Sequence, residues 1–268
     1  MNKKYPLPFT LLSIILLLSA MLLGGCQSGG SGKLASIQSA KKLVVYTNAE
    51  FPPFEYISGD AVVGVDMDIA KAIADDLGVE LEINDAPFDG IITSLASGRG
   101  DIAISGFTIR EDRKEMVDFS KPYINSVQYL ILPADSDIET MEDLGGKRVG
   151  AALGYTGEFV LDDEIEDGAL TDAGVQKITV NSAIDGALDI LNNRLDAVVM
   201  DEFVAIKIAG DYDALKAIKL VYEDGGDVAE EYGVAVPKGN QALVDRINKV
   251  IDALNNDGKI AQWMVVHS

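Results

Sequence analysis

Among 268 residues there is one cysteine, Cys26, and one histidine, His267. A lone cysteine cannot close an intrachain disulfide. His267 is the penultimate residue and is expected to fray, so no Ser-His-Asp or Cys-His set can form in the body of the fold. The usual His/Cys spacings of a metal site are absent, and so is the G-x-x-x-x-G-K-[ST] phosphate loop. No catalytic residue, metal ligand or cofactor is therefore assigned. Basic residues are also scarce, with 22 Lys and Arg against 43 Asp and Glu, a net charge of −21. That balance argues against nucleic acid as a partner. The carboxylates are numerous, but no pair stands out as an acid–base couple, and most read as solvated helix faces.

Long apolar runs are confined to the N-terminus. Lys3 and Lys4 precede a nearly unbroken apolar stretch from Phe9 to Leu23, which ends in Leu23-Gly24-Gly25-Cys26. This pattern predicts a lipoprotein signal peptide over residues 1–25, with Cys26 as the lipidated residue. Residues 26–40, opening with the Gly/Ser-rich QSGGSG, are expected to form a flexible tether. Without Lys3 and Lys4 the chain carries 20 basic and 43 acidic residues, a net charge of −23. Such acidity suits an exported protein and mildly attracts cationic solutes. No second span of membrane length follows, so only the anchor is expected to meet the membrane.

What remains alternates between strand-like and helix-like segments. Leu43–Thr47, Val79–Ile83 and Asp101–Ile104 read as strands. Asp66 can cap a helix that places Met67, Ile69, Ala70, Ile73, Ala74 and Leu77 on one face and stops at Gly78. A second helix is predicted over Gly90–Ser97. The rhythm restarts after an extended run, Val127–Leu132. Strands are predicted at Arg148–Ala152, Gln176–Val180, Asp196–Met200, Ile218–Tyr222 and Tyr232–Val236, with helices between them and two more at the C-terminus. Alternating βαβ units predict mostly parallel sheets flanked by helices. Two α/β lobes follow, with a cleft between them suited to a small ligand.

Ser105–Tyr123, SGFTIREDRKEMVDFSKPY, carries the most chemistry. A buried-looking strand runs into the small residues Ser105 and Gly106. Thr108 stands three residues before Glu111, a capping-box spacing, and Arg113 follows in the first turns of the helix. Backbone N–H groups, a hydroxyl and a guanidinium thus converge, as they must to hold a small anion such as a carboxylate. The plainer readings are a capping role for Thr108 and a surface ion pair for Arg113. Four other segments combine strand ends with unusual residues. Asn48-Ala-Glu-Phe51-Pro-Pro-Phe54-Glu-Tyr56 assigns Phe54 and Tyr56 to the core and leaves Phe51 open between core and binding. Phe88 enters a helix from a loop, where core packing is the default. Gly154-Tyr-Thr156-Gly157 is another strand-to-helix loop with free N–H groups. Asp201 follows a buried-looking strand and can cap the next helix.

In the order TNAEFPPFEY, GVDMDIAKAIADDLGV, FDGIITSLASGRGDIAISGFTIREDRKEMVDFSKPY and DAVVMDE, these segments closely resemble the family 3 extracellular solute-binding proteins, the polar amino-acid-binding proteins of ABC importers. The resemblance covers about residues 41–266. It implies a two-lobed, periplasmic-binding-protein-like fold of type II: two three-layer α/β domains joined by a two-strand hinge. The first lobe would be discontinuous, 41–122 plus 233–268, the second 128–227, with hinge strands at 123–127 and 228–232. Position by position, Arg113 matches the clamp on the ligand α-carboxylate and Thr108 a donor to the same group. Ser105 and Gly106 match loop contacts to the amino-acid backbone, and Asp201 the acceptor of the α-ammonium. Phe51 and Phe88 match aromatics around the ligand side chain, and Thr156 and Gly157 the second-lobe loop that joins on closure. Asn48 stands where relatives that bind basic amino acids or glutamine often carry Asp, while Glu50 nearby can restore the charge. Met200 stands beside Asp201 where some relatives carry a polar residue, and Ala152 offers no side-chain hydrogen bond. The resemblance implies a monomeric, lipid-anchored receptor for a free L-amino acid, polar and neutral or basic, which delivers it to the permease transmembrane subunits. An enzyme on the same fold, of the cyclic amino-acid dehydratase type, would need a general acid or base that nothing here supplies. A ligand-sensing domain would need a downstream span or effector.

Overall fold

A computed structural model describes residues 32–268. The apolar N-terminal run and Cys26 lie outside the described residues. Residues 32–40, expected as tether, instead form helix α1 (Gly32–Ala40), with Ile37 buried in the core. One apolar side chain that finds a packed site is enough to order a short polar segment whose end continues into a strand. Among the described residues no helix is long and apolar enough to cross a membrane.

Two sheets organise the chain. The first contains β1 (Lys42–Thr47), β5 (Glu80–Asp85), β6 (Ile102–Ala103), β7 (Val117–Phe119) and β14 (Ala235–Pro237), in the order β5-β1-β6-β14-β7. β1 runs parallel to both β5 and β6, and β14 returns antiparallel from the far end of the chain. The short strands β2 (Glu50–Phe51), β3 (Glu55–Ser58) and β4 (Ala61–Val63) form a separate meander. Helix α2 (Val65–Leu77) buries all six residues of its predicted apolar stripe. It begins one residue before Asp66, and that carboxylate turns inward rather than capping. α3 (Phe88–Ala96) covers the opposite face of the sheet with Ile91, Ile92 and Leu95. The short helix α4 (Glu111–Met116) begins after Arg110. α8 (Gln241–Asn256) and α9 (Lys259–His267) close the lobe beside α2.

The second sheet has the order β10-β9-β11-β8-β12, built from β8 (Ile124–Pro133), β9 (Arg148–Ala152), β10 (Gln176–Val180), β11 (Ala197–Asp201) and β12 (Leu215–Lys219). α5 (Thr156–Asp167) covers one face, and α6 (Ala183–Leu191) with α7 (Glu202–Gly210) the other. The strand predicted at Ile218–Tyr222 lies earlier, because pairing with β8 matches Leu215 to Pro133 and Lys219 to Tyr129. The strand predicted over Tyr232–Val236 is two strands. β13 (Ala229–Tyr232) pairs with the first half of β8, and β14 belongs to the first sheet. The break falls at Gly233–Val234, where the chain passes between sheets. It crosses the other way between β7 and β8, so two adjacent antiparallel segments connect the lobes.

His267 is not frayed. Its ring nitrogens sit 2.9 Å from an Asp68 carboxylate oxygen and 3.1 Å from the Tyr56 hydroxyl, which ties the C-terminal helix to the first lobe.

Candidate functional site

The lobes meet over the loop that follows β6. Ser105 accepts the Asn48 backbone N–H (3.0 Å) and donates to Glu55 (2.7 Å). The Gly106 N–H and the Tyr123 hydroxyl both donate to Asp66, at 2.8 and 2.9 Å. Gly106 adopts φ +52°, and a Cβ there would come within 2.4 Å of the Phe51 ring. Glycine thus serves both the left-handed backbone and the close approach of Phe51. Burial pushes the Asp66 carboxyl up to about 6, and burial together with Asp66 pushes Glu55 well above its ordinary range. Neither acid was singled out from sequence as part of the site. Both fix the Ser105–Gly106 loop from behind.

Thr108 does not cap α4. Its hydroxyl lies 2.7 Å from the Thr156 hydroxyl of the second lobe and donates to Glu230 of β13 at 2.7 Å. The capping-box spacing is satisfied in sequence, but tertiary partners take the hydroxyl. Arg113 is 6% exposed. It donates to the Thr108 carbonyl and to the Gly154 carbonyl across the lobe boundary, both at 3.0 Å. Its guanidinium lies 5.4 and 5.3 Å from the ring centroids of Phe88 and Phe107. Burial, then repulsion from Arg110, lowers its pKa to about 10, so it remains a cation at neutral pH.

Asp201 ends β11, 3% exposed. It occupies the cap position of α7 without capping it. Its carboxylate accepts from the Tyr232 hydroxyl and from the Gln128 amide, both at 2.6 Å. The same amide donates to Glu230 at 2.7 Å. Burial raises the pKa of Asp201, opposed by those two hydrogen bonds. Burial and the neighbouring Asp201 push Glu230 up to about 8. Gln128, Glu230 and Tyr232 escaped the sequence reading. The available signal was a glutamine inside an otherwise apolar strand and a glutamate two residues before a buried tyrosine.

Phe51 is buried, packed on Phe54, Tyr155 and Tyr232 at centroid distances of 5.8, 5.6 and 6.4 Å. Phe88 stacks on Phe107 at 4.8 Å and meets Tyr155 at 4.3 Å. Tyr155 comes from the second-lobe loop before α5 and donates to the Asn48 side-chain carbonyl at 3.1 Å. Gly157 lies within α5, where a Cβ would come within 2.9 Å of the Val199 carbonyl, so its smallness serves helix–sheet packing. Beside Asn48 a cavity of about 380 Å³ opens between the lobes. Glu50, Asp85 and Asp89 line it together with Asn181 and Leu153, and no basic residue does.

Two α/β lobes joined by two segments, with a buried guanidinium on one and a buried carboxylate on the other, define a two-lobed solute-binding protein. Residues 43–265 match the family described as bacterial extracellular solute-binding proteins, family 3, and the chain belongs to that family. It is 32% identical over 248 residues to the arginine-binding extracellular protein ArtP of Bacillus subtilis, covering 92% of this chain and 94% of that protein. It is 30% identical over 246 residues to a probable histidine-binding protein of Neisseria gonorrhoeae, covering 90% and 88%. Among solved structures, the substrate-binding protein AbpA of Streptococcus pneumoniae bound to L-arginine superposes with a TM-score of 0.79 at 31% identity, covering 87% of this chain and 96% of that one.

Proposed function

We propose that this protein is the ligand-capturing receptor of an amino-acid ABC importer and that it holds a basic amino acid between its lobes, with arginine the leading candidate. One arrangement carries the reading: Arg113 of the first lobe and Asp201 of the second are both buried where the lobes meet. A zwitterion needs an anion site and a cation site close together. Arg113 offers a two-pronged donor for the carboxylate and Asp201 a charge-assisted acceptor for the ammonium. Each charge of the ligand then neutralises a charge that burial would otherwise strand. In this reading Thr108 and Thr156 join Arg113 at the carboxylate, while Ser105 and Gly106 border the amino-acid backbone. Gly157 lets the Thr156 loop pack against its sheet. Phe51 and Phe88 flank the side chain, and Asn48 meets its tip.

Charge selects the ligand class. The cavity next to Asn48 is bordered by three carboxylates and no cation, so a guanidinium or ammonium is favoured there and a ligand carboxylate repelled. The arginine- and histidine-binding relatives point the same way. The crossing segments 123–127 and 228–232 act as the hinge between a first lobe of 41–122 plus 233–268 and a second of 128–227. Lipid on Cys26 holds the monomer at the outer face of the membrane, where it meets the permease. Calorimetric titration of the ligand-stripped protein with the twenty amino acids tests the reading. Arginine should bind with a Kd in the micromolar range or tighter, about −8 kcal/mol or better. Tightest binding of aspartate or glutamate, or no binding of any amino acid, would refute it.

A further inference from the structure

We infer that Tyr155 is an internal competitor for the side-chain slot between Phe51 and Phe88, and that a ligand must displace it. This inference rests on the proposed amino-acid site and concerns how tightly that site binds. Tyr155 belongs to the second lobe, yet its contacts at the slot are with the first. Its ring centroid lies 4.3 Å from that of Phe88 and 5.6 Å from that of Phe51, and its hydroxyl donates to the Asn48 side-chain carbonyl at 3.1 Å. A planar group against two aromatic rings, with a donor at its tip, is what a bound guanidinium or imidazole side chain would present. The residue is 4% exposed, so the slot is filled by the protein itself.

The neighbouring anchors are satisfied in the same manner. Arg113 donates to the Gly154 carbonyl, the residue before Tyr155, and Thr108 pairs with Thr156, the residue after it. The Gly154 carbonyl and the Tyr155 ring thus stand where the proposed ligand's carboxylate and side chain would stand. A ligand enters only from the state in which this loop has withdrawn, and its apparent affinity falls by the fraction of molecules that are plugged.

Asn48 adds a requirement of its own. When Tyr155 leaves, Asn48 loses a donor in a nearly buried position. A flat side chain bearing N–H groups replaces both the tilted aromatic contacts and the hydrogen bond, and it can extend toward the carboxylates of the adjoining cavity. An aliphatic side chain replaces neither and leaves the Asn48 carbonyl unpaired, which is costly. Displacing Tyr155 thus costs every ligand the same, and the Asn48 carbonyl favours planar, donor-bearing side chains over aliphatic ones.

The test uses Tyr155→Ala and Tyr155→Phe, with two readouts on the ligand-stripped protein. Small-angle scattering without ligand should give a compact wild type and a more open Tyr155→Ala, with a larger radius of gyration. Titration with L-arginine and L-leucine should show arginine binding about tenfold or more tighter to Tyr155→Ala than to wild type. Leucine affinity should rise by a similar factor, leaving the arginine-over-leucine preference unchanged. Tyr155→Phe keeps the ring and loses only the bond to Asn48, so arginine affinity should rise by a smaller factor, about two- to tenfold. Unchanged scattering, or weaker arginine binding in both variants, would overturn the inference and make Tyr155 a wall of the pocket. Opening in Tyr155→Ala with no amino acid bound by any of the proteins would uphold the plug as a closing contact and reject the amino-acid reading instead.

Discussion

Glu230→Gln should stabilise the protein, increasingly so as the pH rises from about 5 to about 8. Glu230 is 4% exposed, on one of the two segments that connect the lobes. It accepts hydrogen bonds from Thr108 and Gln128, and Asp201 shares the same Gln128 amide. Arg113 is the cation that offsets this pair, and it does so incompletely. Burial first, then Asp201, moves the Glu230 carboxyl from 4.5 to about 8. Below the unfolded value both the folded and unfolded chains carry the proton, and Glu230 costs nothing. Between the two values the unfolded chain releases its proton while the folded one keeps it, so stability falls as pH rises and levels off above about 8. At 1.36 kcal/mol per pH unit, the loss approaches roughly 5 kcal/mol. Glutamine reproduces the shape of the protonated acid and removes its titration. Urea unfolding of both proteins at intervals from pH 5 to pH 9 should give free energies that diverge with rising pH, the variant being the more stable. Asp66 titrates in part of the same window and contributes to both curves alike, so the difference between them reports Glu230 together with its neighbour Asp201. Parallel curves would refute the reasoning.

Gly64→Ala should cost several kcal/mol in the same assay. Gly64 has φ +133°, and a Cβ would lie 2.0 Å from the Phe54 carbonyl oxygen, so backbone rather than a pliable side chain must yield. Phe159→Ala should favour the open arrangement, because Arg110 of the first lobe lies 3.6 Å from the centroid of the Phe159 ring of the second. A cation–π contact at a partly exposed site contributes about 0.5–1 kcal/mol. Scattering from the ligand-free variant should report a larger radius of gyration than wild type, and an identical radius would remove the contact from the closure mechanism.

Most elements were legible because their signals are local. The apolar stripe of α2 repeats with helical period, and each of its six residues is buried. β9 and β10 coincide with their predicted bounds. The departures share a physical origin. Thr108, Asp66 and Asp201 each read as a helix cap, since a hydroxyl or carboxylate near a helix start has that default use. Each instead spends its oxygen on a tertiary partner: Thr156 and Glu230, Gly106 and Tyr123, or Gln128 and Tyr232. Local spacing is identical in the two cases, and only the assembled lobes distinguish them. The same holds for Tyr155, whose hydroxyl partner Asn48 is 107 residues away in the chain. Arg113 reads locally as part of an anion site, whereas Asp201 takes its ligand role from the family resemblance alone. Nothing in their local sequence contradicts a surface ion pair and an ordinary cap, yet both are buried at the lobe junction.

The central claim is that Arg113 and Asp201 hold the two ends of an amino-acid zwitterion. Calorimetric titration of arginine into wild type, Arg113→Ala and Asp201→Asn addresses it most directly. Wild type should bind with a micromolar or tighter Kd. Each variant should lose affinity roughly a hundredfold or more, because the ligand charge it faced is left buried and unpaired. Arginine affinity unchanged in Arg113→Ala would contradict the account.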